Sequence, residues 1–258
     1  MMGALLEMIG TRLDVHAPAW PIAVPPQVPL VIVANHPFGI ADGIALLALA
    51  EQLGRPYRIL VNNDFMRLPE IRPCALPIDF WPGRAAIETN LSSRTDARHL
   101  LRDGVTIVVF PAGGVATAER PSGKAEELPW KAFTARLIQQ TQAAVLPVWF
   151  EGQNSPLFHL ISRYSLMLRL SLLVSEFRHF VGATIRVHVG ALVPFDALAC
   201  RAERGALTDE LYGLVHRLAS DAAARGPAYL KPRPAQARRR YPWDPPRKIK
   251  PQMSAQSG

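Results

Sequence analysis

Residues 29–42 read PLVIVANHPFGIAD. Pro29–Ala34 is a short, β-branched apolar run, the pattern of a buried strand. Asn35, His36, Pro37, Phe38 and Gly39 then signal a turn. Beyond it Asp42 is a candidate cap. Ile44, Leu46, Leu47, Leu49 and Leu53 give an apolar helix face that ends at Gly54 and Pro56. A buried strand, a polar turn and a helix in this order are the repeating unit of an open α/β sheet, whose ligand sites lie beyond the carboxyl ends of its strands.

The same alternation continues along the chain. Strands are predicted over Tyr57–Val61, Ala75–Ile78, Val105–Phe110 and Ala144–Phe150. Thr184–Val189 alternates Ile185, Val187 and Val189 with Arg186 and His188, as a half-exposed strand does. Helices are predicted over Ala4–Leu13, Ile87–Arg102, Trp130–Gln142, Leu157–Val174 and Ala206–Ala224. The pattern predicts a single α/β domain with a mostly parallel central sheet flanked by helices. That domain is expected to span 29–225, after an N-terminal helix and lead-in segment (1–28) and before a Pro/Arg-rich basic tail (226–258).

The composition, 49% hydrophobic and 19% charged over 258 residues, excludes disorder through most of the length. The formal net charge of +8 is concentrated at one end. From Lys231 to Gly258 eight basic residues face a single acid, Asp244. A nucleic-acid-binding domain would spread its basic residues over a folded face, so no nucleic-acid partner is expected. A basic tail suits anionic headgroups at about 1 kcal/mol per residue, and a solvated tail without a partner fits the charge pattern equally well.

The longest apolar runs, Ile44–Ala50, Val105–Pro111 and Ala143–Phe150, fall short of the ~20 residues that span a bilayer. The N-terminal stretch lacks a basic leading region and carries Glu7, so it reads poorly as a signal peptide. Cys74 and Cys200 make no disulfide framework or metal-ligand spacing, which points to a reducing compartment. The expected location is the cytoplasmic face of the inner membrane, on the surface rather than through it.

Four stretches carry candidate chemistry. His36 lies in the turn and Asp42 six positions on. Six residues of continuous helix would put the two side chains on different faces, so they meet only if His36 is in the turn and Asp42 opens the helix. A His oriented by a carboxylate is a competent general base; alternatively, Asp42 is simply a helix cap. Phe110–Thr117 (FPAGGVAT) runs from a strand into a Gly-rich loop whose N–H groups suit an anion. Pro77–Arg84 (PIDFWPGR) ends in a guanidinium fit for a phosphate, or in an ordinary surface Arg. Leu146–Ser155 (LPVWFEGQNS) leaves a buried strand and turns polar, where Asn154 and Ser155 either line a site or make a turn. The chain has no Gly-x-Ser-x-Gly elbow, and its acids show no metal-ligand spacing. The remaining histidines, His16, His99, His159, His179, His188 and His216, have no motif around them and read as structural or surface residues.

In order and spacing, NHPFGIADG, PIDFWPGR, FPAGGVAT and LPVWFEGQNSPLF resemble the four blocks of the lysophospholipid (glycerolipid) acyltransferase superfamily. The likeness is greatest to its bacterial hemolysin-like branch, whose first block is NHPFG-x-x-DG, and it covers roughly 29–195. The resemblance implies an O-acyltransferase with His36 as base and Asp42 orienting it. Arg84, Asn35 and the Pro111–Ala112–Gly113 loop would hold the acceptor, and Pro147 with the block after it would shape a substrate pocket. It implies a lysolipid acceptor, an acyl carrier protein or coenzyme A thioester as co-substrate, no cofactor and no metal. The chain departs from the family at the third block, where Ala112 and Gly114 occupy the positions of a customary Glu; the nearest acid downstream is Glu119. A lipid-binding member without catalysis and a thioester hydrolase stand as alternatives.

Overall fold

The computed structural model describes residues 1–79, 83–162, 166–200 and 202–219. The run at 29–34 becomes β2 (Leu30–Ala34), every residue of it buried. In chain order the elements are α1 (Met2–Met8), β1 (Arg12–His16), β2, α2 (Ile40–Gln52), β3 (Tyr57–Asn62), β4 (Ala75–Ile78), α3 (Arg84–Arg102) and β5 (Thr106–Val109). They continue with α4 (Phe133–Thr141), β6 (Ala144–Phe150), α5 (Pro156–Ser162), α6 (Leu166–Phe177), β7 (Thr184–Val189) and α7 (Arg204–Arg217).

Among the described residues the strands form one sheet in the order β1-β7-β6-β2-β5-β3-β4. Neighbours pair in parallel except β6 with β7, which are antiparallel. Strand alternation splits β2 between two cores. Leu30, Ile32 and Ala34 pack with α1 and α2, while Val31 and Val33 pack with residues of α3, α4 and α7. Helices therefore cover both faces, as a sheet rich in parallel pairs requires, and the mostly parallel α/β domain expected from the sequence is the fold observed.

Several boundaries differ from expectation. The N-terminal helix stops at Met8, and Arg12–His16 is instead an edge strand in register with Thr184–His188. Gly10 makes the break, with a φ of 69° that favours glycine. Of the stretch Leu157–Val174, the described residues lie in α5 and α6, and 163–165 fall outside the described residues. The last helix begins at Arg204, and its described part ends at Arg217. His188, expected on a half-exposed strand, is buried, because its ring stacks on His16 of β1. The basic tail lies outside the described residues.

Candidate active site

The parallel order brings the carboxyl ends of β5, β2 and β6 side by side, about 4.8 Å apart per strand. The loops that leave them carry the first, third and fourth blocks. The second block leaves β4, three strands from β2 and so about 14 Å across the sheet.

His36 lies in the turn after β2, and α2 starts at Ile40 with Asp42 in its first turn. The helix thus begins late enough for the two side chains to meet. His36 Nδ1 is 3.1 Å from Asp42 Oδ1. The carboxylate is fully buried, and its Oδ2 accepts the Phe38 N–H at 2.8 Å. Asp42 therefore ties down the turn and does not cap its own helix. The His36 ring stacks on Phe110 at 4.0 Å between centroids, and its side chain keeps 16% exposure. A carboxylate at Nδ1 leaves Nε2 as the nitrogen able to take a proton.

The turn is held on all sides. The Asn35 Nδ2 donates to the Phe150 carbonyl (2.9 Å), and the Asn35 Oδ1 accepts the Phe150 N–H (2.7 Å). This zips the end of β2 to β6. Gly39 has a φ of 84°, and a Cβ there would lie 2.7 Å from a Leu173 methyl and 3.1 Å from a Val115 methyl. Only glycine fits where α6 and the third block close on the turn.

The expected site residues divide accordingly. Asn35 is buried, with its amide committed to Phe150. Pro111 and Ala112 are buried. Gly113 has a φ of 69°, and its N–H closes a turn onto the Phe110 carbonyl at 2.9 Å, so this N–H is engaged within the loop. Arg84 opens α3 with a 93% exposed side chain paired to Glu88 at 2.9 Å. Among the described residues no group of three or more His, Cys, Asp or Glu is placed to hold a metal ion.

The sequence gives no hint of Glu127. The excursion between β5 and α4 folds back through a bridge of Thr117 with Glu126. The next residue, Glu127, reaches the first block with one carboxylate oxygen, accepting the His36 N–H at 2.9 Å. Its other oxygen lies 3.0 Å from His216 Nε2 on α7 and 3.3 Å from Trp130 Nε1. Glu119, the nearest acid after the third block by sequence, is exposed. His216 is packed among Tyr212, Trp149 and Trp130.

The fourth block joins the third. Gln153 accepts the Ala125 N–H and donates to the Gly123 carbonyl, and the buried His159 Nδ1 accepts the Ala118 N–H at 3.3 Å. Burial pushes the His159 pKa down, against the charge of Glu176 and a contact with the Asn154 backbone. Ser155 is anchored by Glu176 through both its N–H and its hydroxyl. Asn154 is 2% exposed, yet its side-chain amide makes no hydrogen bond to the described residues. An open groove of about 490 Å³ runs along Thr117, Ala118, Glu119 and Arg120.

An α/β sheet with a His–Asp pair at the carboxyl end of a central strand is the class of site defined here. The model of the Acyltransferase family matches residues 23–180, and the chain belongs to that family. It is 33% identical over 132 residues to lyso-glycine lipid O-acyltransferases of Phocaeicola vulgatus and Bacteroides thetaiotaomicron. That alignment takes in 49% of this chain and 43% and 44% of theirs, so the chain spans less than half the length of these relatives. The fold is shared with the 1-acyl-sn-glycerophosphate acyltransferase PlsC of Thermotoga maritima (TM-score 0.55, 19% identity, covering 87% of this chain and 77% of that one).

Proposed function

We propose that the protein transfers a fatty acyl group from an acyl thioester, of acyl carrier protein or coenzyme A, to a hydroxyl of a lysolipid at a membrane surface. The observation that carries the reading is the His36–Asp42 pair, 3.1 Å apart at the end of β2. His36 Nε2 takes the proton of the acceptor hydroxyl, and the oxygen attacks the thioester carbonyl. Asp42 steadies the imidazolium. Collapse of the tetrahedral adduct breaks the C–S bond, and the thiolate leaves with the proton held by His36. The chain needs no acyl-enzyme for this sequence of steps, in keeping with the absence of a nucleophile elbow.

The named relatives favour a lysolipid with an amino-acid head as acceptor. Arg84 is assigned to the acceptor's anionic head. For the membrane, support comes from exposed Leu157 and Leu160, three apart on α5, and Val174 on α6. Among the described residues no helix is long and apolar enough to cross a membrane. The two free cysteines and the basic tail suit the cytoplasmic face of the inner membrane.

The test is incubation with labelled acyl thioesters and a panel of lysolipids that includes lyso-amino-acid lipids and lysophosphatidate. Label is expected in a diacylated lipid. Label in free fatty acid alone would make the protein a thioesterase, and binding of lipid without turnover would make it a lipid-binding member of the family.

A further inference from the structure

We infer that Glu127 is a positioning residue for His36, gripping the catalytic turn by its backbone and linking it to His216 on α7. The inference rests on the acyl-transfer reading for its kinetic consequence and on geometry alone for its structural one.

The His36 peptide is clamped from both ends by one excursion of the chain. The Glu127 Oε1 accepts the His36 N–H at 2.9 Å, and the Ala116 N–H donates to the His36 carbonyl at 2.8 Å. Thr117 and Glu126 exchange two backbone hydrogen bonds of 3.0 Å each, closing the excursion so that Ala116 and Glu127 arrive together. These two bonds hold the backbone of the residue, while Asp42 and Phe110 meet its ring. Position and orientation of the base are thus set by different parts of the chain.

Glu127 is itself held firmly. Its side chain is 5% exposed. Its second oxygen lies 3.0 Å from His216 Nε2 and accepts the Trp130 Nε1–H at 3.3 Å. With the His36 N–H, three polar groups converge on one buried carboxyl group. Glu127 puts a carboxylate beside the first block from a position further along the same excursion. His216 stacks on Tyr212 at 3.7 Å and packs edge-on to Trp149 at 4.8 Å, so the far end of the link is anchored in α7 and β6.

Glu127→Ala and Glu127→Met both remove the acceptor; methionine also fills the space, so it serves if the alanine variant folds poorly. Two readouts apply to the full chain: amide hydrogen exchange at His36 by NMR, and acyl-transfer kinetics. In either variant the His36 amide should exchange roughly 10–100-fold faster. kcat should fall about 100-fold, because a small misplacement of the base is costly, with the lysolipid KM little changed. Glu127→Gln keeps an acceptor for His36 and should recover most of both losses. Unchanged His36 exchange in folded Glu127→Met would overturn the inference, as would equal loss in the Gln and Met variants. Wild-type protein that transfers no acyl group would defeat the acyl-transfer reading, while the exchange measurement still decides whether Glu127 holds the turn.

Discussion

Two loops leave neighbouring strands at the same end of the sheet, and they treat their buried polar groups differently. In the loop after β2, the Asn35 amide, the His36 N–H and carbonyl and the Phe38 N–H all have partners at 2.7–2.9 Å. In the loop after β6, Gln153 and Ser155 are engaged, but the Asn154 side chain, equally buried, is not. Backbone groups held in this way fix the turn, as the proposed general base requires, while His36 Nδ1 and Asp42 Oδ1 have only each other, at 3.1 Å. An unpaired buried amide instead costs about 1–3 kcal/mol. Among the described residues the Asn154 side-chain amide has no partner.

The sharpest way to break this contrast is at the pair the first loop serves. Asp42→Asn keeps the size of the side chain but removes the charge that holds the imidazolium in the proposed mechanism. kcat should fall about 10²–10³-fold, within the range general-base catalysis contributes. A fall of less than tenfold would mean that Asp42 acts on the turn alone, through the Phe38 N–H.

Stability separates the two asparagines. Asn35→Ala strands the Phe150 N–H and carbonyl and should cost about 2–4 kcal/mol in denaturant unfolding. Asn154→Ala strands no group among the described residues and should cost under about 1 kcal/mol. Equal losses would erase the distinction between the loops.

His159 adds a pH signature to the second loop. Its folded pKa is depressed by burial, so the unfolded chain binds its proton more readily. The stability this supplies is complete above the unfolded value of about 6.5 and is lost as pH falls below it. Thermal unfolding should therefore occur earlier at pH 5 than at pH 7. His159→Asn, which retains an acceptor for the Ala118 N–H, should flatten that slope. The smallest structural effect belongs to Arg84→Ala. Its Tm should stay at the wild-type value, because an exposed i,i+4 pair contributes little, while the acceptor KM rises severalfold. An unchanged KM would remove Arg84 from the binding site.

The core of this account is legible in residues that act locally. Leu30–Ala34 announces a buried strand and Pro37–Gly39 a turn, so the meeting of His36 and Asp42 follows once the helix starts late enough. Arg12–His16 escapes such reading because an edge strand with only Leu13 and Val15 as apolar residues is defined by its register with β7, far along the chain. Glu127 escapes for a different reason. Its principal partner is a backbone N–H, which no sequence displays, and beside Glu126 it looks like part of a solvated charge pair. Arg84 shows the reverse: its motif is legible, but the sequence does not reveal that β4 lies at the edge of the sheet, three strands from the one that leads into His36.

The most direct test of the central claim is acyl transfer by His36→Ala beside wild type, with both proteins confirmed as folded by circular dichroism. The account predicts transfer by the wild type and a loss of at least about 10³-fold in the variant. Comparable transfer by folded His36→Ala would contradict it and move the chemistry away from the loop after β2.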